Sequence, residues 1–201
     1  ASNLNLEFDI QKNKYSLAKI KGTINEIKLS SLLIKITKKK DQFLIAGKIQ
    51  TDKKEFNRNQ ISSMTASFLK NPNIEKVRFN SENDISFNIN KKLIINNLNI
   101  KSKINVEQLV VKNNLIDLKP YLPSLDETIN FEDHKIIIDY DKDKLNIKGK
   151  GKILIKDKLD SINYEVVKNN DEFTFNTKAN FKKNKFIIDF LDYEKKEDVD
   201  A

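Results

Sequence analysis

Apolar and polar residues alternate along most of the chain, beginning with Leu4, Leu6, Phe8 and Ile10. This period of two is typical of a β-strand that buries one face. Short polar segments, such as residues 12–14, interrupt the alternation roughly every ten residues. Connections this short join antiparallel neighbours, because a parallel crossover needs about a dozen residues or more. The pattern therefore predicts a mainly β fold, a curved antiparallel meander with many hairpins.

Two places depart from simple alternation. Tyr15 and Leu17 have one parity, whereas Ile20 and Gly22 have the other, which predicts a β-bulge near Ala18. Between the apolar runs 77–79 and 85–89, the polar residues 80–84 predict a turn.

One segment predicts a helix near residues 59–70. Its key residues have the spacing of one helix face: Ile61, Met64, Thr65, Phe68 and Leu69. Asn57 or Asn59 is the expected N-cap, and the helix is expected to end before Pro72.

Four regions follow along the chain. Pro120 and Pro123 exclude a central strand between the two halves and predict a crossover loop. The charged C-terminus has no periodic apolar face and is expected to be disordered. The expected regions are 1–112 (strands with the inserted helix), 113–128 (loop), 129–193 (meander) and 194–201 (tail), with one continuous sheet as the alternative to separate units.

In the final meander the apolar residues fall on one side of their strands, with mostly Lys, Asp, Glu or Asn as neighbours. The candidate groove residues are Ile136, Ile138, Tyr140, Leu145, Ile147, Ile153, Ile155, Ile162, Tyr164, Val166, Phe173, Phe175, Phe186, Ile188 and Phe190. One short helix has too few apolar side chains to cover so wide a face. The sheet must therefore leave an apolar groove or close into a sandwich, and a groove walled by hydrocarbon favours lipid acyl chains.

Charge changes this picture little. The chain has 37 Lys+Arg against 29 Asp+Glu, a formal net charge of +8. Its only arginines are Arg58 and Arg78, and the lysines are scattered among carboxylates. Because bidentate reading of phosphates and bases favours arginine, we do not expect a nucleic-acid partner.

No group of residues predicts an active site, a metal or a cofactor. There is no cysteine, and His134 is the sole histidine, which we interpret as a surface loop residue. Residues 139–143 resemble the start of a calcium loop, but Lys144 and Lys150 stand where Gly and Glu are required. Gly149 and Gly151 lie between β residues and do not open a helix, which excludes a phosphate-binding loop. We therefore expect a protein that is not an enzyme.

Three segments resemble the long periplasmic AsmA-type (YhdP/TamB-like) lipid-transfer proteins: LNIKGKGKILI at 145–155, DSINYEV at 160–166 and FTFNT at 173–177. The loop PYLP at 120–123 is also similar to that group's repeats. The resemblance implies a β-taco groove that carries phospholipid between the inner and outer membranes of a Gram-negative envelope. It further implies a periplasmic location, an inner-membrane anchor outside this segment and no catalytic residues. The helix near 59–70 has no counterpart in that group's motifs.

Two other functions remain open from the sequence. A structural or adhesive β-sandwich module of a surface protein would close its apolar face, and a β-jelly-roll of a lipopolysaccharide bridge would carry a different cargo. The oligomeric state also stays open.

Overall fold

The computed structural model describes residues 2–24, 26–65, 73–112, 120–121, 126–142, 144–155, 158–170 and 172–199. These residues form twelve strands and one α-helix. The strands are β1 (Ser2–Gln11), β2 (Lys14–Ile24), β3 (Ile27–Lys39), β4 (Gln42–Asn57), β5 (Ile74–Asn90), β6 (Ile95–Lys112), β7 (Thr128–Asp141), β8 (Lys144–Ile155), β9 (Lys158–Asn169), β10 (Glu172–Asn180), β11 (Phe186–Ile188) and β12 (Tyr193–Lys195). The helix α1 spans Arg58–Thr65.

Strands β1 to β10 form one sheet in chain order, and every neighbouring pair is antiparallel. Because β1 and β10 do not pair with each other, the sheet is open. Strands β11 and β12 make a separate two-stranded sheet. The prediction of a mainly β, curved antiparallel meander with one short helix is confirmed.

A band of β-bulges crosses the middle of the sheet from β2 to β7. Register shifts lie between residues 5 and 7, 30 and 34, 51 and 54, 78 and 79, and 132 and 135. Lys19 and Asp133, which lie at two of them, have φ values of 51° and 52°. The bulge predicted near Ala18 is therefore present. Each bulge adds a residue to one strand and bends it, so this bulge band curves the sheet.

Burial shows in which direction the sheet curves. In the described part of β1 to β10, all buried side chains lie on one face: Ser31, Phe56, Ser81, Ser102, Val106, Ile129, His134, Ile153, Ile155 and Asp160. Phe56, Ile129, Ile153, Ile155 and Asp160 are partly covered by other segments of the chain. The remaining five lie where no described segment covers the sheet, so neighbours on their own face must bury them. The sheet is therefore concave on this face and convex on the other.

Helix α1 follows β4 at the end of the sheet where β5, β7 and β9 begin. Gln60 N donates to Asn57 Oδ1 and Asn57 N donates to Gln60 Oε1, both at 3.1 Å. This reciprocal capping box identifies Asn57 as the N-cap. Ile61 and Phe56 are buried where the helix meets β4, so the helix covers this corner of the concave face. Residues 66–70 of the predicted helix lie outside the described residues.

Three predictions about the fold are wrong. Residues 80–84 are not a turn but part of β5, because Ser81 and Asn83 hydrogen bond with Thr51 and the Ile49 carbonyl across the sheet. Phe186 and Ile188 do not continue the meander, since β11 pairs only with β12.

The third concerns the C-terminal tail, predicted to be disordered from residue 194. Glu194 and Lys195 belong to β12, and Lys195 is buried. Its ammonium group donates to the carbonyl oxygens of Lys182, Lys196 and Val199 at 2.8–3.0 Å. Of the predicted loop 113–128, the structure describes only 120–121 and 126–128.

Candidate functional site: the concave apolar face

One continuous row of paired residues crosses all ten strands on the concave face. From β1 to β10 it runs Phe8, Leu17, Ile34, Gly47, Ile85, Ile100, Tyr140, Leu145, Lys168 and Phe173. Only Gly47 and Lys168 interrupt its apolar character, and the Lys168 ammonium lies 5.5 Å from the centre of the Phe173 ring. Strands about 4.8 Å apart make this row roughly 43 Å long. We call this surface the apolar face.

The neighbouring row, one residue along each strand, points to the convex side because side chains alternate. It runs Asp9, Ser16, Lys35, Ala46, Ser86, Asn99, Asp141, Lys144, Asn169 and Glu172. All but Ala46 are polar or charged. We call this surface the polar face. The two faces of one sheet thus have opposite chemistry across its full width.

Little in the described chain covers the apolar face. At its two edges the side chains are most open, with Ile10 at 65% and Phe175 at 71% exposure. The residues between the edges are half-buried by their neighbours in the concave sheet. The surface is therefore a wide apolar groove. It is open along its two side edges and at the end of the sheet opposite helix α1.

The structure brings ten of the fifteen predicted groove residues together on the apolar face. They are Ile136, Ile138, Tyr140, Leu145, Ile147, Ile162, Tyr164, Val166, Phe173 and Phe175. The same face continues through β1 to β6, beyond the predicted set. The alternation around Phe8, Leu17 and Ile34 already indicated that these residues share one face. Each bulge shifts the alternation by one residue, however, so the sequence does not show which face a residue beyond it occupies.

The other five predicted residues lie at the helix end of the sheet. Ile153 and Ile155 share the face but are buried with Ile129, and Phe181 and Phe186 pack against them. Ile188 lies beside Phe186 in β11. Phe190 lies in a 3-10 turn, Asp189–Leu191, and is 79% exposed. We call residues 181–199 the end segment, because they cover this end of the groove.

Two charged groups of β9, the buried Asp160 and the half-buried Lys158, attach the end segment. Asp160 in β9 accepts hydrogen bonds from Lys183 N at 3.0 Å, Asn184 N at 3.2 Å and Asn184 Nδ2 at 2.7 Å. Lys158 forms ion pairs with Glu197 at 2.8 Å and Asp198 at 3.1 Å. The loop residue Tyr121 joins this cluster, since its carbonyl accepts from Ile187 N at 3.0 Å.

His134 lies on the apolar face in β7 and is 3% exposed, so its interpretation as a surface loop residue is wrong. It shares this face with Ile136 by simple alternation, and the bulge at Asp133 brings Phe131, which has the opposite parity, to the same face. Its Nε2 is 2.9 Å from the Lys152 carbonyl oxygen, which makes it the donor, and Nδ1 is 3.4 Å from the Tyr164 hydroxyl. Phe131 packs edge-on at 5.4 Å between ring centres. Burial lowers the pKa of His134 and raises that of Tyr164.

Two glycines make room for these rings. A Cβ on Gly151 would lie 2.2 Å from His134 Cδ2, and one on Gly149 would lie 2.1 Å from Tyr164 Cζ. The rings therefore lie over the backbone of β8, with their centres 5.9 Å apart. They wall an apolar depression of about 300 Å³ at the bulge band, lined also by Val106, Leu109, Phe131, Ile136, Ile162 and Thr177. The polar face has a depression of about 530 Å³, whose lining residues are mostly Lys, Asn and Glu, although the wall they form is largely hydrocarbon.

Small hydroxyl groups follow the bulge band on the apolar face. Thr51 Oγ1 and Ser81 Oγ are 2.9 Å apart, and Asn83 Nδ2 donates to Ser81 Oγ at the same distance. The Ser31 hydroxyl is buried without a hydrogen-bond partner among the described residues. Because these side chains are small, the two halves of a strand on either side of its bulge can approach each other on the concave side.

The described residues contain no group of three or more His, Cys, Asp or Glu side chains placed to hold a metal ion. Asp139 instead lies 3.7 Å from the Lys101 ammonium, and Asp143 of the calcium-like sequence lies outside the described residues. In the same part of the chain, no helix is long and apolar enough to cross a membrane. Comparison with protein-family models, with curated proteins and with solved structures finds no match.

Proposed function

We propose that the apolar face binds lipid acyl chains and that the chain is a section of a hydrophobic groove that carries phospholipid. The observation that supports this is the continuous apolar row through ten strands of a sheet that is open and concave on that side. Exposed apolar surfaces beyond a few hundred Å² mark binding sites on soluble monomers. This face has no second layer of described residues over its central strands.

The hydrocarbon lining of the groove would let a bound acyl chain slide along it. Between the edges, Ile100, Ile138 and Ile147 offer only hydrocarbon, which favours a lipid tail by about 0.8 kcal/mol per buried methylene. Such contacts are not directional, so they hold a chain without fixing its position along the row. Polar residues and lysines lie on the other face and at the edges, where head groups remain in water.

The envelope setting rests on the resemblance to the AsmA-type lipid-transfer proteins. It supports phospholipid as the cargo, transfer between the inner and outer membranes of a Gram-negative cell, and a periplasmic location. It also supports attachment to the inner membrane through an anchor beyond this segment. Lipid transfer needs no nucleophile or acid–base pair, so the proposal is of a protein that is not an enzyme.

The two other functions fit the architecture less well. A closed sandwich needs a second sheet over the apolar face, but the only other sheet in the described chain is the short β11–β12 pair at one end. A jelly-roll connects its strands in Greek keys, whereas these ten strands follow one another in chain order. An open apolar face therefore favours a ligand over a structural role.

Site-specific photocrosslinking tests the proposal. A photoreactive phenylalanine analogue replaces Ile147 in one variant and its neighbour Lys148, on the polar face, in the matched control. Phe175 and Asn176 form a second pair at the edge. After illumination in cells that make the protein, mass spectrometry of the purified chain measures attached phospholipid.

We expect lipid adducts at Ile147 and Phe175 several times more often than at Lys148 and Asn176. Ile155 serves as a further control, because Phe181 and Phe186 cover this part of the face and should keep lipid from it. Equal labelling at Ile147 and Lys148 would show that the apolar face is no groove for lipid.

A further inference from the structure

We infer that strand β10 is a dimerisation edge, at which a second copy of this chain adds its own β10 antiparallel to form one twenty-stranded sheet. This goes beyond the proposed function and does not depend on the identity of the cargo. The inference begins with the two free edges of the sheet, which differ in how well they are protected against pairing.

Edge strand β1 has features that discourage pairing. Two register shifts interrupt its pairing with β2, and Asn3 has a φ of 56°. Its polar side carries two acids, Glu7 and Asp9, and no base. Bulges and like charges are the usual means by which proteins keep an edge strand from adding another strand.

Edge strand β10 lacks this protection. All nine of its residues pair with β9 without a register shift, and it contains no proline. Its apolar side presents Phe173 and Phe175, whose stacked rings lie 6.1 Å apart and are 54% and 71% exposed. A long, regular edge with exposed aromatic rings is a template for another strand.

The backbone allows several symmetric registers, and the side chains favour the one whose two-fold axis lies at Phe175. Asn169 and Glu172 flank a two-residue turn, so these two residues exchange backbone hydrogen bonds. Every second pair of β9 and β10 residues beyond them does the same. The N–H and C=O groups that point away from β9 are therefore those of Phe173, Phe175, Thr177 and Ala179. A two-fold axis at Phe175 places Phe175 opposite Phe175 of the second copy, and Phe173 opposite Thr177.

The side chains complement one another in this register. Glu172 faces Lys178 of the second copy, and the symmetry makes this ion pair twice. Among the described residues neither Glu172 nor Lys178 has an ion pair within its own chain, so both are available. Thr174 faces Asn176, and no like charges meet. The two-fold axis is perpendicular to the sheet, so the apolar faces of the two copies join on one side.

Sedimentation velocity over a range of concentrations tests this on the whole chain. We expect a reversible dimer that weakens about tenfold or more in Glu172→Lys and in Lys178→Glu, since each change sets like charges opposite. The double variant Glu172→Lys/Lys178→Glu should restore the dimer. Asp9→Lys makes the same charge change as Glu172→Lys on the other edge and should leave the dimer unchanged.

Disulfide formation tests the register, because the chain has no cysteine of its own. Under mild oxidation Phe175→Cys should link two copies, since facing Cα atoms about 5.5 Å apart permit a disulfide. Thr177→Cys should not, because it is displaced from its own symmetry mate by four residues. A chain that stays monomeric at about 1 mM, a dimer unaffected by either charge reversal, or equal linkage at both positions would overturn the inference.

Discussion

Replacing Gly151 by alanine tests whether the packing of His134 over β8 holds the bulge band together. The new Cβ would lie 2.2–2.7 Å from three atoms of the imidazole ring, well inside an ordinary contact. The ring cannot easily move away. Its Nε2 donates to the Lys152 carbonyl at 2.9 Å, and Phe131 packs against it.

The cost of this change can be estimated from the contacts. Forcing a methyl group into a packed site costs about 1–3 kcal/mol. Losing the hydrogen bond of His134 costs about 1 kcal/mol more. Alanine returns about 0.5–1 kcal/mol because it restricts the unfolded chain more than glycine does. The expected net loss is about 1–3.5 kcal/mol, which lowers Tm by about 2–14 °C for a domain of this size.

Urea denaturation followed by circular dichroism measures the loss, with Gly22→Ala as the matched control. A Cβ on Gly22 would lie 3.4 Å from the Leu4 side chain, an ordinary contact, so this variant should be as stable as the parent or slightly more so. In a His134→Ala background the cost of Gly151→Ala should largely disappear, a coupling of about 1–3 kcal/mol. If Gly151→Ala is as mild as Gly22→Ala, or costs the same without the ring, His134 does not occupy the space above Gly151.

Two further predictions concern buried polar groups near the bulge band. Burial lowers the pKa of His134, so the folded state favours its neutral form. The stability that this form contributes is complete above the usual histidine pKa and is lost as pH falls from that value through the lowered pKa. The urea midpoint should therefore drop more between about pH 7.5 and 5.5 in the parent than in His134→Gln. An equal drop in both would show that other groups cause it. Ser31→Ala removes a buried hydroxyl without a described partner and should change stability by less than about 1 kcal/mol, whereas Ser81→Ala breaks the bonds to Thr51 and Asn83 and should cost about 1–3 kcal/mol. Equal costs would contradict this difference.

Alternation predicted most of the sheet correctly, because connections as short as a hairpin can join only antiparallel neighbouring strands. It failed where polar residues face the concave side. Ser81 and Asn83 looked like turn residues, yet inside the sheet Ser81 bonds to Thr51 and Asn83 donates to the Ile49 carbonyl. Local sequence cannot distinguish a polar turn from a polar stretch that finds hydrogen-bond partners on a strand distant in the chain.

The site was predicted in part for the same reason. Parity correctly grouped residues such as Ile138, Ile147 and Val166, which lie side by side in adjacent strands. His134 has the parity of Ile136 and lies on the apolar face, but its charged neighbours Asp133 and Lys135 made it look like a loop residue before the strand. Phe190 has strand parity, but a 3-10 turn after Ile188 ends the strand and leaves the ring exposed. The errors therefore arose where the ends of a strand, not its alternation, had to be predicted.

Several unfavourable features of this sheet lie along the bulge band. Bulged residues with positive φ, a hydroxyl without a described partner at Ser31, and a neutral buried histidine each cost stability. A sequence shaped only for stability would place apolar side chains there and cover them with a second layer. Here the small and polar residues instead bend ten strands around an apolar surface while its edges, at Ile10 and Phe175, remain open. Departures from local stability are expected where a protein maintains a functional surface. We therefore interpret the bulge band as the part of the sequence that keeps the sheet concave and its apolar face open, as the proposed binding of acyl chains requires.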